Sequence, residues 1–341
     1  MNRWIDRQLR SWVFPFLVIT CLATGVWLVP AMPAIAAGSP GDSTAPFSVS
    51  LIGDLPYTPI QEERFLDLIE AVNQSDVAFV IHDGDLKGGG TECSDEAIVE
   101  RKQLFETFEK PFIYVLGDNE WTDCHREKAG SYDALERLEF VRALFTDGDR
   151  SMAVPAIELE RQSQTPEFST YRENVLWDYN NVMFATLHVV GSNNNLGRTP
   201  ENDAEYRERN AADLAWMKES FERAKTGDYA GFMLTIHANP LFELEPDDPN
   251  RSGFSEFIAA LETEVANYDR PIVLVHGDTH RFLIDKPLKQ GGEEIANFTR
   301  VETFGSPNVH WLRAEIDPNS DNVFEFYQEL IPVEYDEASP S

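Results

Sequence analysis

The sequence predicts a layered α/β fold, and three observations carry that expectation. Short apolar runs alternate with segments of helical period along most of the chain, the pattern of strands and helices packed face to face. The apolar share, 42% of 341 residues, is enough to build a sizeable core in one large domain or two modest ones. Four of the apolar runs end in the same dipeptide, Gly-Asp, at Asp54, Asp85, Asp118 and Asp278.

In chain order, the amino end is expected to be a targeting segment outside the fold. Arg3, Arg7 and Arg10 precede the apolar stretch WVFPFLVITCLATGVWLV, and Ala34 and Ala36 in PAIAAG have the spacing of a signal-peptidase site. Residues 1–36 are therefore assigned as a signal peptide. The stretch approaches the length of a membrane span, which leaves an uncleaved anchor as the alternative. An exported location, periplasmic or secreted, is expected. Residues 37–46, containing GSPGDSTAP, are small, polar and Pro/Gly-rich and are assigned as a flexible tether.

The folded region is expected over 47–330. It starts with FSVSLIG, a helix over about 61–73, VAFVI, a helix over about 95–109, and PFIYVLG. The stretch 146–180 looks irregular and polar. Beyond it VMFATLHVV, GFMLTIH, PIVLVH, HWLRAEI and VFEFYQEL supply further strands, and AEYRERNAADLAWMKESFERA is the clearest amphipathic helix. Residues 331–341, with EYDEASPS, form an acidic tail expected to be solvated.

A formal net charge of −31 and a pI near 4.5 argue against a nucleic-acid duplex or an anionic membrane as partner, since a polyanion is repelled over most of the surface. No stable membrane partner is expected once the leader is removed. A phosphorylated small molecule remains compatible if local cations receive it, and Lys87 and Arg126 are the candidate contacts. Cys93 and Cys124 are the cysteines left after cleavage, and an oxidising compartment permits them to pair; two free thiols is the other possibility. Each follows a Gly-Asp loop, so a bridge would tie the two loops together.

Glycine lets the backbone leave a strand sharply, and ligands of open α/β sheets bind beyond the carboxyl ends of the strands. If the four strands lie side by side, four carboxylates converge, and their repulsion and burial demand a cation or protonation. Two histidines favour the cation: His237 ends GFMLTIH, and His280 closes HGDTH. Imidazole with carboxylate suits Mn, Fe or Zn, and carboxylate-rich sites also take Mg. Six donors are too many for one tetrahedral zinc and suit two divalent ions bridged by one carboxylate. Single Gly-Asp pairs elsewhere are ordinary turns, and His188 and His310 are expected to be packing residues.

The order of these motifs, GDLPY, GDLKGGG, GDNEW, IHANP and GDTH, resembles the calcineurin-like metallophosphoesterase superfamily over roughly residues 47–316. The resemblance implies a four-layer β-sandwich flanked by helices, a two-metal centre and hydrolysis of a phosphomonoester or phosphodiester by a metal-bound hydroxide. It implies Asp54, Asp85 and His280 as ligands of a first ion. It implies Asp85, Asp118, His237 and Asp278 as ligands of a second, with Asp85 bridging and His276 in a supporting or core role. Three departures stand out. Pro56 replaces the histidine of the first block, with Tyr57 as a possible oxygen ligand; Asp118-Asn119 replaces Asn-His; Asp278 replaces the first histidine of the last block. Asn119 thus occupies the place of the family's acid, unless a one-residue shift makes Asn119 the ligand and Glu120 the acid. A catalytically degenerate member that binds metal or a phosphorylated ligand without turnover is the competing expectation.

Overall fold

The computed structural model describes residues 44–332. The expected leader, most of the tether and the tail beyond residue 332 lie outside the described residues.

Two sheets carry the fold. One has five strands in the order β14-β13-β1-β2-β3, where β1 is Phe47–Ile52, β2 Val80–His82, β3 Phe112–Tyr114, β13 His310–Ile316 and β14 Phe324–Leu330. The other has seven in the order β4-β5-β6-β7-β8-β12-β9, formed by β4 Glu160–Arg161, β5 Val175–Tyr179, β6 Val182–Thr186, β7 Gly231–Thr235, β8 Ile272–His276, β9 Leu283–Asp285 and β12 Phe298–Glu302. A small hairpin, β10 Lys289–Gln290 and β11 Glu293–Glu294, stands apart. β1, β2 and β3 are mutually parallel, as are β6, β7, β8 and β12.

The central strands are apolar on both faces because both faces are covered. Successive side chains point to opposite sides of a strand. Val49, Leu51, Phe79, Ile81 and Ile113 therefore meet Phe184, Met233, Val273 and Val275 between the sheets. Ile52, Val80, Phe112 and Tyr114 face outward onto the helices Pro59–Gln74, Asp95–Phe105 and Ala134–Phe145. On the far side Met183, Phe232, Leu234 and Leu274 pack against the helices Pro200–Thr226 and Ser255–Ala266. Three apolar layers thus separate four layers of structure, helix, sheet, sheet and helix. Among the described residues no helix is long and apolar enough to cross a membrane.

The helix starts follow their sequence signals. Thr58 caps Pro59–Gln74 by accepting from the Gln61 amide, and Thr199 caps Pro200–Thr226 by accepting from the Asn202 amide, each followed by proline in the first turn. One expectation needs correction: the stretch 146–180 is not wholly irregular, because β4 and β5 lie within it and extend the larger sheet. Ile331 also belongs to the fold rather than to a solvated tail, being 6% exposed with its amide donating to His310 Nδ1 at 3.1 Å.

Candidate metal centre

The Gly-Asp repeats meet at one end of the sandwich, beyond the carboxyl ends of β1, β2, β3, β7 and β8. Donor atoms of Asp54, Asp85 and His237 lie within 4.8 Å of one another, and those of Asp118, His237 and Asp278 do likewise. His280 joins through Nε2, 3.3 Å from Asp54 Oδ1. All six expected ligands are therefore in one place.

The glycines have a specific geometric role there. A Cβ on Gly117 would fall 2.2 Å from Asp85 Oδ1, and one on Gly277 2.2 Å from Asp54 Oδ2. Each missing side chain leaves the space that a neighbouring strand's carboxylate fills, which is why glycine recurs before the aspartates. The aspartates and histidine are themselves bent: φ is 52° at Asp54, 60° at Asp85, 76° at Asp278 and 59° at His280. Left-handed backbone at non-glycine residues is costly and persists where surrounding structure enforces it, commonly at functional sites.

Both histidines are held in one tautomer. His237 Nδ1 donates to the Asp83 carbonyl at 2.9 Å and His280 Nδ1 to the Ser306 carbonyl at 2.7 Å, so in the neutral ring each Nε2 carries a lone pair. For His237 that nitrogen faces Asp118 Oδ1 at 3.1 Å and Asp85 Oδ1 at 3.3 Å. Two lone pairs cannot bond to each other, so positive charge must lie between them, as a proton or an ion.

The electrostatics agree. Burial, with the charges of Asp118, Glu120 and Asp54, pushes Asp85 well above the usual carboxylate range against the pull of His237. Burial and the Asp118 charge bring Asp278 to about 7. Asp118 also suffers burial, but the hydrogen bond and charge of His237, with the Ser192 hydroxyl, hold it at about 2. His237 rises well above its ordinary value because Asp85, Asp118, Asp54 and Asp278 outweigh its own burial. Such a cluster lacks cationic charge, and its oxygen and imidazole donors fit divalent ions.

Tyr57 fills the gap left by Pro56. Its hydroxyl lies 3.1 Å from Asp54 Oδ1, 3.0 Å from Asp85 Oδ2 and 3.3 Å from His280 Nε2. Burial and the two aspartates hold its proton on, well above the ordinary phenol value. Asp85 presents Oδ2 to this side and Oδ1 to His237, the disposition a bridging carboxylate needs.

Asn119 stands at the centre, its amide donating to Asp85 Oδ1 at 2.9 Å and its Nδ2 lying 3.3 Å from the Tyr57 hydroxyl. The shifted register is not the arrangement found. Glu120 is fully buried and turned inward, taking hydrogen bonds from the Tyr114 hydroxyl at 2.6 Å and from the Gly117 amide, so it does not face the mouth. Lys87 is corrected too: it is 2% exposed, and its ammonium donates to the Thr91 carbonyl at 3.0 Å and the Gly88 carbonyl at 3.4 Å. It offsets the carboxylates from behind and does not reach outward. Arg126 is half exposed at the rim, paired with Asp123 Oδ2 at 2.7 Å. Cys93 and Cys124 form a disulfide. His276 is buried, with Nδ1 donating to the Gly277 carbonyl at 2.9 Å, and is no ligand.

Several residues of the site are not among those expected from the sequence. Asp83 supplies the carbonyl for His237 and accepts from Thr303 Oγ1 at 2.8 Å; the Asn239 amide donates to Asp278 Oδ2 at 3.1 Å. The Ser192 hydroxyl lies 2.7 Å from Asp118 Oδ2 and 2.9 Å from Asp123 Oδ1.

A family model for calcineurin-like phosphoesterases matches residues 15–282. The chain belongs to that family. Comparison with curated proteins finds no match. Among solved structures, PhoD aligns with a TM-score of 0.54 at 10% identity, over 81% of this chain and 65% of that one. The purple acid phosphatase PPD1 from yellow lupin (Lupinus luteus) seeds has a TM-score of 0.46 at 12% identity, over 84% of this chain and 54% of its own. The 5'-nucleotidase of Candida albicans has a TM-score of 0.42 at 12% identity, over 83% of this chain and 50% of its own. This chain therefore spans between half and two thirds of those proteins. The likeness to PhoD is one of fold, and it agrees with the helix-sheet-sheet-helix layering of this phosphoesterase-family chain.

Proposed function

We propose that the chain is an exported, metal-dependent phosphoester hydrolase with a two-ion centre, acting on a phosphorylated small molecule. The observation that carries this is the convergence of Asp54, Asp85, Asp118, His237, Asp278 and His280 on one point, within a calcineurin-like phosphoesterase fold. Asp54, Asp85 and His280, with the Tyr57 hydroxyl beside them, would hold one ion; Asp85, Asp118, His237 and Asp278 would hold the other. Divalent ions of the Mn, Fe, Zn or Mg kind would supply Lewis-acid charge for phosphate oxygens and acidify a water nucleophile.

The chain's own residues do the rest. Arg126 lies at the rim, close enough to the Asn119 carbonyl oxygen of the side chain that a Cβ on Gly89 would sit 2.5 Å from both. It is placed to receive a phosphate oxygen in exchange for Asp123. The two Nδ2 hydrogens of Asn119 are directed at Asp85 Oδ2 and the Tyr57 hydroxyl, and the amide has no proton to give a leaving oxygen. That last feature favours a second reading, a member that binds metal or a phosphorylated ligand without turnover.

Protein loaded separately with Mn, Fe, Zn and Mg, and assayed on p-nitrophenyl phosphate and bis-p-nitrophenyl phosphate, separates the two. Turnover that is lost in chelator and in Asp85→Asn supports the hydrolase. Stoichiometric metal binding with neither ester cleaved supports the second reading.

A further inference from the structure

Beyond β6 the chain reads Gly191-Ser192-Asn193-Asn194-Asn195, and four successive residues without glycine are left-handed: φ is 52° at Ser192, 55° at Asn193, 53° at Asn194 and 66° at Asn195. L-residues visit that region singly as a rule, asparagine most readily, because Cβ crowds the following carbonyl. A run of four requires strong enforcement, and the structure supplies it. Asn194 Oδ1 accepts from the Val190 amide at 3.2 Å and from Arg209 at 2.7 Å, while Arg209 also donates to the Asn194 carbonyl at 3.0 Å. Arg209 is itself fully buried, paired with Glu205 at 2.6 Å and set 5.6 Å above the Trp121 ring. On the other side Asn193 Oδ1 accepts from the Gly253 amide at 2.8 Å, and Asn194 Nδ2 donates to the Gly253 carbonyl at 3.1 Å.

The turn leads directly to the metal centre. Gly191 lies between two proposed ligands, since a Cβ there would fall 2.7 Å from Asp278 Oδ1 and 2.8 Å from Asp118 Oδ1. The next residue, Ser192, is exposed at the mouth with its hydroxyl between two carboxylates. A hydroxyl has one proton to donate, and its shorter contact, 2.7 Å, is to Asp118 Oδ2; Asp123 has its other oxygen occupied by Arg126 at 2.7 Å. With Oδ2 engaged, Asp118 presents Oδ1 to His237 and, across the Gly191 gap, towards Asp278.

We propose that Ser192 is a positioning residue for the second metal site: the clamped left-handed turn holds its hydroxyl on Asp118 Oδ2 and so aims Oδ1 at the ion. The inference rests on the two-ion reading of the centre. Groups that hydrogen-bond to a metal's ligands fix their orientation, and their loss typically costs about 10- to 100-fold in metal affinity.

Ser192→Gly isolates the hydroxyl, because glycine accepts a positive φ more readily than serine and leaves the turn intact. Metal binding to the full chain, stripped with chelator, is followed by calorimetric titration with Mn and with Zn. Thermal unfolding of the metal-free protein is measured in parallel. The expected result is an unchanged or raised metal-free melting temperature, one binding step weakened 10- to 100-fold, and the other step within a factor of about two. Wild-type affinity at every step in Ser192→Gly would overturn the proposal, as would equal weakening of both steps. Absence of metal binding by the wild type would instead overturn the reading of the centre on which it rests.

Discussion

Removing the disulfide gives a test whose size follows from the chain path. Cys93 and Cys124 are 31 residues apart, and the loop they close contains the helix Asp95–Phe105, β3 and the Asp118-Asn119 turn. In the chain-entropy account, opening a loop of that length returns about 3.7 kcal/mol of freedom to the unfolded state. Both sulfurs are fully buried and lie 3.6 Å from the Asn119 carbonyl, so truncation also removes packing behind the site. The loop keeps other anchors: the Cys93 amide donates to the Ala129 carbonyl at 3.0 Å, Arg137 donates to the Cys93 carbonyl at 3.0 Å, and the Tyr132 amide donates to the Cys124 carbonyl at 2.8 Å. The double variant Cys93→Ala/Cys124→Ala should therefore fold but be less stable by about 3–4 kcal/mol. Its urea dependence should steepen, because the uncrosslinked denatured chain exposes more surface. Equilibrium unfolding in urea measures both quantities. A loss below about 1 kcal/mol with unchanged slope would refute the reasoning, since loop closure would then contribute little. Two thiols titrating in unreduced, unfolded wild type would refute its premise.

Three further outcomes are expected. Asp85→Ala should lose both ions and Asp54→Ala chiefly the first, measured by elemental analysis of purified protein; full metal content in Asp85→Ala would contradict the bridging role. Because Asn119 cannot protonate a leaving oxygen, rates across a series of phenyl and alkyl esters should fall steeply with leaving-group pKa. Asn119→His should flatten the dependence, recovering part of the roughly 10²- to 10⁴-fold that a positioned acid contributes to poor leaving groups; a flat wild-type series would show that another acid serves. Finally, burial holds the His188 imidazole down at about 4 despite its 2.8 Å contact with Glu173. Below its ordinary value of about 6.5 the unfolded chain takes up a proton that the folded chain refuses, so stability falls as pH drops through that window. His188→Gln should reduce the loss between pH 7 and 4.5 by about 2 kcal/mol in urea titrations, and an unchanged pH dependence would sink the assignment.

What was legible in the sequence is what is encoded locally. The strands β1, β2, β3, β6, β7, β8, β13 and β14 show as apolar or alternating runs because the sandwich buries them, and the ligands show because the four aspartates each follow such a run through a glycine and His237 ends one directly. β5 escaped notice because its outer half, Asp178 and Tyr179, is partly exposed and the residues before it are polar. β12 carries Arg300 and Glu302, which look like surface residues. Both are buried, the arginine by a two-pronged pairing with Asp285 at 2.8 and 2.6 Å across the β9–β12 ladder, a partner 15 residues away that no periodicity reveals.

The same distinction separates the ligands from the residues that orient them. A ligand's place follows from its own strand, but Lys87 is expected to contact phosphate because it stands two residues from Asp85; only the fold shows the Gly88 and Thr91 carbonyls turned back onto its ammonium. Ser192 carries no site signal in the sequence, since a serine followed by asparagines is ordinary loop composition, yet its hydroxyl donates to Asp118, 74 residues earlier. The run of three asparagines that follows does carry a local signal, tolerance of left-handed backbone. Its meaning depends on Arg209 and Gly253, which come from two other segments and enforce the turn from either side. In this chain the motif specifies which atoms can meet an ion, and contacts between distant segments specify which oxygen of each carboxylate is left to do so.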